Sequence, residues 1–202
     1  MSVEKRAIRR ELRDQRRALP ERIVEAAAAA VLQRLRDFAA YGAALSVVAY
    51  IGDENEIRTD RLIEAILRSG QLLYLPRQER QPGLARWEPG TPLVAGPGGI
   101  PEPPGDSVAV LPLPALALVP VVAWDTEGTR LGRGGGFYDR LFARLEPSVV
   151  RVGLAYEFQY VPGLPREAWD VPLHYVITER RTIQCAASSV DGTTFQKGGL
   201  RQ

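Results

Sequence analysis

Apolar positions recur along the chain with two periods, one helical and one strand-like. Residues 3–19 (VEKRAIRRELRDQRRAL) set Ile8 and Leu12 four apart among strong helix formers, and Lys5, Arg9 and Arg13 form a parallel line of cations. Pro20 ends this helix. A second helix is predicted over Glu21–Ala40, with Ile23, Ala27, Val31, Leu35 and Phe38 facing the core. Leu45–Ile51 is a β-branched apolar run between glycines, the pattern of a buried strand. The acidic loop Gly52–Glu56 follows its carboxyl end, with Asp53 and Glu54 read as a solvated turn, and Thr59 is placed to cap a helix over Asp60–Ser69 that Gly70 stops. Gln71–Pro76 reads as a strand with Arg77 at its end. Residues 78–113, dense in Pro and Gly, predict irregular structure with a hairpin around Leu84–Glu88, lying over a site as a cover. Within it, Trp87 suits core packing or a stacking surface equally.

Further along, Leu116–Val122 is another apolar strand, halted at Trp124–Asp125. A helix over Phe137–Leu145, a strand over Val149–Ala155, a loop over Tyr156–Trp169 and a last strand at Tyr175–Thr178 complete the pattern. From Arg180, and above all over Ser188–Gln202, the chain is polar, glycine-rich and without a hydrophobic period, which predicts a mobile tail. Alternating strands and helices predict an α/β fold, with a mainly parallel sheet and helices on both faces. No composition shift divides it, so residues 1–187 are expected to form a single domain, followed by the tail 188–202.

Composition narrows the function classes. The 202 residues are 45% hydrophobic and 25% charged, the balance of an ordinary globular protein with a sizeable core. A net charge of +2 gives no global reason to bind nucleic acid, and the basic first helix is short and lacks interleaved aromatics. The single cysteine, Cys185, excludes an internal disulfide and fits a reducing compartment. No apolar run approaches a membrane span, and the charged start from Glu4 lacks the core of a signal peptide. The expectation is a cytoplasmic monomer with neither membrane nor nucleic-acid partner.

Chemistry concentrates in Leu118–Arg140 (LVPVVAWDTEGTRLGRGGGFYDR), where a strand runs into a glycine-rich loop and then a helix. Glycines let the backbone approach a ligand closely, and such a loop before a helix aims several N–H groups at one anion. Arg130 and Arg133 lie inside it and can add forked bonds to phosphate oxygens. The loop is therefore read as a phosphate site. It is not a P-loop, because Gly136-Phe137-Tyr138 stands where Gly-Lys-Ser/Thr is needed. Nor does it carry the dinucleotide fingerprint, because Phe137 occupies the third glycine's place.

The same stretch resembles the 5-formyltetrahydrofolate cyclo-ligase family, whose signature runs approximately V-P-G-x-A-F-D-x-x-G-x-R-L-G-x-G-x-G-Y-Y-D. Val119, Pro120, Ala123, Asp125, Gly128, Arg130, Leu131, Gly132, Gly134, Gly136, Tyr138 and Asp139 match it. Val121, Trp124 and Phe137 depart from it, and Phe137 keeps an aromatic face while losing a hydroxyl. Gly135 falls where family members vary. A late D-V-x-x-D-x-x-x-T-E pattern is met by Asp170, Thr178 and Glu179, with His174 in place of the second aspartate. His174, the only histidine, is read as structural.

This resemblance implies a three-layer sandwich and ATP binding by Lys5, Arg9, Arg130, Leu131, Gly132, Arg133, Gly134, Gly135, Gly136, Phe137 and Tyr138. It implies folate contacts at Ile51, Glu56 and Arg133–Phe137, a Mg²⁺ site at Asp139 and Asp170, and catalytic roles for Arg133 and Tyr138. Mg²⁺ is the implied cofactor and ATP the co-substrate. The implied reaction is the ATP-dependent cyclisation of 5-formyltetrahydrofolate to the 5,10-methenyl form. It needs no protein nucleophile, and the sequence holds no Ser-His-Asp or Cys-His constellation. Two other readings remain at this stage: a non-catalytic relative using its basic helix for RNA or another partner, and a kinase or ligase for a different small molecule.

Overall fold

The computed structural model describes residues 3–108 and 110–186; the predicted tail 188–202 lies outside them. Helices α1 (Val3–Arg17), α2 (Glu21–Arg36) and α3 (Ala39–Ala43) precede strand β1 (Ser46–Val48) and helix α4 (Asp60–Arg68). Strands β2 (Leu72–Gln78) and β3 (Pro82–Arg86) form a hairpin, followed by a small ribbon of β4 (Val94–Ala95) and β5 (Pro101–Glu102). Strand β6 (Ala115–Pro120) leads to a second ribbon, β7 (Ala123–Trp124) and β8 (Arg130–Leu131), and then to helix α5 (Phe137–Phe142). Strands β9 (Val150–Leu154), β10 (Tyr175–Ile177) and β11 (Thr182–Gln184) end the described chain.

The main sheet has the order β11-β10-β9-β6-β1-β2-β3. Its five inner strands are parallel, and each edge strand joins antiparallel to its neighbour. Side chains alternate between faces as strand geometry requires. Val47, Leu73, Leu75, Leu116, Leu118, Val152 and Leu154 pack with α2, α3 and α4 on one face. Val48, Tyr74, Ala117, Val119 and Val176 pack with Leu141 and Phe142 of α5 on the other. The expected α/β arrangement, with helices on both faces, is what the chain adopts.

Several boundaries move for identifiable reasons. Helix α2 stops at Arg36, because Phe38 turns extended (φ −88°, ψ 112°) and sets its ring edge-on to Tyr175 at 4.8 Å. Its buried stripe is Val24, Ala27, Val31, Leu32 and Leu35, so Ile23 faces outward instead. Thr59 begins α4 without a side-chain cap, since its hydroxyl donates to the Tyr50 carbonyl. Strand β2 continues through Arg77 and Gln78 because these polar residues pair with Gly83 and Pro82 of β3. Trp87 resolves to packing: it lies against the core and its Nε1 donates to the Thr91 carbonyl at 2.9 Å. Thr182–Gln184, read as tail, is the edge strand beside β10.

The strand order also fixes where a ligand fits. From β1 the chain goes to β2 on one side, while β6 lies on β1's other side, so the topology reverses between β1 and β6. Open parallel sheets leave a crevice at such a point, beyond the strands' carboxyl ends.

Candidate active site

A cavity of about 950 Å³ opens at this reversal. Tyr50 and Ile51 enter it beyond β1, Leu75, Pro76 and Gln78 from β2, and Pro120 to Val122 from the end of β6. The residues that the family resemblance implies for ATP, folate, metal and catalysis all line it: Lys5 and Arg9 of α1, Ile51 and Glu56, the run Arg130–Tyr138, Asp139 and Asp170. Ile100, Pro101 and Glu102 of the β4–β5 ribbon add a further wall, so part of the Pro/Gly-rich segment does border the site.

The glycine loop is held at both ends. Asp125 is buried and accepts N–H groups from Thr129 (2.8 Å), Glu127 (3.0 Å) and Leu164 (3.2 Å), which closes the turn between β7 and β8. Arg9 Nε donates to the Gly132 carbonyl at 2.8 Å and ties α1 to the loop. Gly134 (φ +104°) and Gly136 (φ +61°) adopt left-handed backbone that side-chain-bearing residues disfavour. A side chain at Gly135 would meet open space, in keeping with its variable place in the family signature. Among the described residues, the N–H groups of Arg133–Gly136 donate to no protein acceptor. Such a run of free donors suits an anion.

The two loop arginines point to different partners. Arg130 Nη2 donates to Asp139 Oδ1 at 3.1 Å, and its guanidinium lies 5.4 Å from the Tyr138 ring centroid. Its Nε is buried without a hydrogen-bond partner. Arg133 reaches the opposite wall, where Nη1 meets Asp53 at 2.9 Å and Nη2 meets Glu56 at 3.1 Å.

Helix α1 turns its cationic line inward. Lys5, only 5% exposed, bonds Asp170 at 3.0 Å and lies 3.6 Å from Glu167. Arg13 forks onto Glu54, and those hydrogen bonds, with help from Arg17, hold the Glu54 carboxyl down at about 2. The acidic turn expected to be solvated is therefore tied down at Glu54 by Arg13, while Asp53 stays half exposed and pairs with Arg133. Asn55 (φ +57°) completes the junction, donating to the carbonyls of Arg16, Arg17 and Leu19 at the end of α1. Burial, reinforced by the charge on Glu56, raises the Tyr138 phenol above its ordinary value and keeps it a proton donor.

Asp139 and Asp170 are brought side by side, since the backbone N–H of Val171 donates to Asp139 Oδ1 at 3.3 Å. Each carboxylate already faces a cation, Arg130 and Lys5 respectively. No cluster of three or more metal-ligating side chains occurs among the described residues. Two neighbouring carboxylates are a donor set of the kind that holds Mg²⁺ together with phosphate oxygens and water.

Sequence reasoning passed over several members of the site. Arg16 is 1% exposed and donates to the Glu54 and Val121 carbonyls, with its Nη2 3.5 Å from Glu56. It lies three residues beyond Arg13, so the four-residue cationic line passes it and reaches Arg17; its spacing of four from the buried Leu12 was the available signal. Glu167 and Trp169 also border the cavity, and their closeness to Asp170 was the available signal. His174 lies outside the cavity lining, and its Nδ1 accepts the Arg151 backbone N–H at 3.0 Å, as a structural histidine should. Cys185 is buried, and burial pushes its thiol up to about 12, which leaves it inert.

A doubly covered parallel sheet with a donor-rich glycine loop at its reversal point, facing an acidic wall, has the architecture of an α/β enzyme and suits an anionic ligand. Residues 1–179 match the 5-formyltetrahydrofolate cyclo-ligase family, and the chain belongs to that family. It is 36% identical over 185 residues to the 5-formyltetrahydrofolate cyclo-ligase of Haemophilus influenzae, covering 88% of this chain and 99% of that protein. The Escherichia coli K12 enzyme of the same name is also 36% identical, over 83% of this chain and 96% of its own. Among solved structures, the Aquifex aeolicus 5,10-methenyltetrahydrofolate synthetase superposes with a TM-score of 0.77 at 29% identity, covering 98% of this chain and 99% of that one. The chain is thus an enzyme of the ligase class. Among the described residues, no helix is long and apolar enough to cross a membrane.

Proposed function

We propose that this enzyme converts 5-formyltetrahydrofolate to 5,10-methenyltetrahydrofolate at the expense of ATP, releasing ADP and phosphate. The observation that carries the reading is the meeting, in one cavity, of two different walls. One is cationic and donor-rich (Lys5, Arg9, Arg130 and the Arg133–Gly136 amides) and suits a triphosphate. The other offers Ile51 and the 5%-exposed carboxylate of Glu56, which suit the face and the ring N–H groups of a pterin.

Between them the formyl oxygen attacks the γ-phosphorus and ADP departs. N10 of the same substrate then attacks the activated carbon, phosphate leaves with the former formyl oxygen, and the N10 proton passes to the departing phosphate or to water. The protein's task is positioning and charge stabilisation, with no covalent intermediate on the chain. Arg133, which touches the folate wall and belongs to the phosphate loop, is placed to bridge the two substrates. Arg130 has a buried Nε that a phosphate oxygen would satisfy. Tyr138, kept protonated by burial, can donate to the same oxygens. Mg²⁺, held by Asp139, Asp170 and phosphate oxygens, would offset the charge that develops on the transferring group.

Purified protein incubated with 5-formyltetrahydrofolate and Mg-ATP should develop the near-ultraviolet band of the methenyl product, and omission of ATP should abolish it. If the band is absent while nucleotide still binds, the substrate assignment is wrong.

A further inference from the structure

Three tryptophans occur in the chain, and two are ordinary. Trp124 is fully buried with its Nε1 bonded to the Tyr156 carbonyl at 3.2 Å, and Trp87 bonds Thr91 against the core. Trp169 is different. It is 71% exposed, makes no hydrogen bond or ring contact among the described residues, and borders the cavity. Leaving the largest apolar side chain in water forgoes burial that the fold uses elsewhere.

Its backbone, by contrast, is firmly held. Trp169 sits in a turn closed by Asp170 N–H donating to the Glu167 carbonyl at 3.1 Å, and by Glu167 N–H donating to Asp170 Oδ2 at 2.8 Å. Lys5 grips both carboxylates of that turn. The indole is therefore an unpartnered aromatic face on a fixed support, directly beside the lysine and aspartate of the proposed triphosphate and metal site.

Resting on the nucleotide reading above, we infer that Trp169 is the platform on which the base of the nucleoside triphosphate stacks. A triphosphate whose γ-phosphate faces the folate wall at Glu56 must run its base away from that wall. Lys5, which holds the Glu167–Asp170 turn, lies near the start of α1, whereas Arg16, 3.5 Å from Glu56, lies near its end, about 16 Å along the helix. Stacking uses a π-face that every base possesses, so this contact supplies affinity without choosing among purines.

The test is calorimetric binding of Mg-ATP, Mg-GTP and Mg-tripolyphosphate, without folate, to the wild type, Trp169→Ala and Trp169→Phe. The inference predicts that Trp169→Ala weakens both nucleotides about tenfold, within the roughly 5- to 150-fold range of base–aromatic stacking. It predicts unchanged tripolyphosphate binding in that variant and near-complete recovery of nucleotide affinity in Trp169→Phe. Equal loss of nucleotide and tripolyphosphate would show a damaged turn and overturn the stacking role, as would wild-type nucleotide affinity in Trp169→Ala. If the wild type binds tripolyphosphate but ATP no more tightly than tripolyphosphate, the stacking inference fails while the phosphate site stands. If it binds neither ATP nor tripolyphosphate, the underlying nucleotide reading fails as well.

Discussion

Removing Arg133 is the most informative single perturbation, because its guanidinium joins the glycine loop to the opposite wall. It makes contacts of 2.9 Å to Asp53 and of 3.1 and 3.3 Å to Glu56. Charge-assisted bonds contribute ~1.5–3 kcal/mol when shielded and ~0–1 kcal/mol when exposed. The Arg133 side chain is 33% exposed and Glu56 5%, so the Glu56 contact dominates and Arg133→Ala should cost about 1–2 kcal/mol of stability. Turnover should suffer more. Loss of one charge-assisted bond to the transferring phosphoryl group lowers kcat/KM for ATP about ten- to a hundredfold. A double-mutant cycle with Glu56→Gln separates the two roles. If Arg133 acts on phosphate, its removal still costs at least about tenfold in the Glu56→Gln background. If it serves only to hold Glu56, the second mutation adds nothing. Methenyl formation measured against ATP and against folate, in all four proteins, decides the matter, and complete non-additivity would refute the phosphate role.

The other predictions follow from the same geometry. Asp139→Asn should raise the Mg²⁺ concentration needed for half-maximal activity while leaving the melting temperature within a few degrees, as a magnesium titration and thermal melt would register. Gly134→Ala should impair turnover because its φ of +104° disfavours a side chain, whereas Gly135→Ala, facing open space, should be nearly silent in the same assay. Glu54 has its carboxyl lowered to about 2 in the fold, so its stabilising effect is complete above the unfolded value near 4.5 and is lost as pH falls toward 2. Melting temperatures across that window should fall less steeply in Glu54→Gln than in the wild type. Native protein should resist thiol-alkylating reagents, since Cys185 is buried with its thiol pushed to about 12, and rapid labelling before unfolding would contradict that.

What was legible in the sequence was whatever depends on residue type at a fixed local spacing. The glycine loop announces itself because Gly134 and Gly136 occupy backbone that other residues avoid, and the apolar runs of β1, β6 and β9 mark strands buried on both faces. Less legible was anything decided by how elements meet. The cations of α1 have the spacing of a solvated face, and only the seating of that helix over the cavity turns Lys5 and Arg16 inward. The ion pairs of Asp53 and Glu54 depend on that docking, so the acidic turn read as solvent-facing. Strand β11 is three residues, Thr182–Gln184, too short for a period to show, and its pairing with β10 creates it. Trp169 offers only its place beside Asp170 as a local signal; its meaning lies in its exposure there.

The central claim is that the formyl oxygen itself takes the γ-phosphoryl group. It is tested most directly with 5-formyltetrahydrofolate carrying oxygen-18 in the formyl group, turned over with unlabelled Mg-ATP in unlabelled water. Mass analysis of the inorganic phosphate should find the label there, one atom for each methenyl product formed. Label released into water, with unlabelled phosphate, would contradict the account.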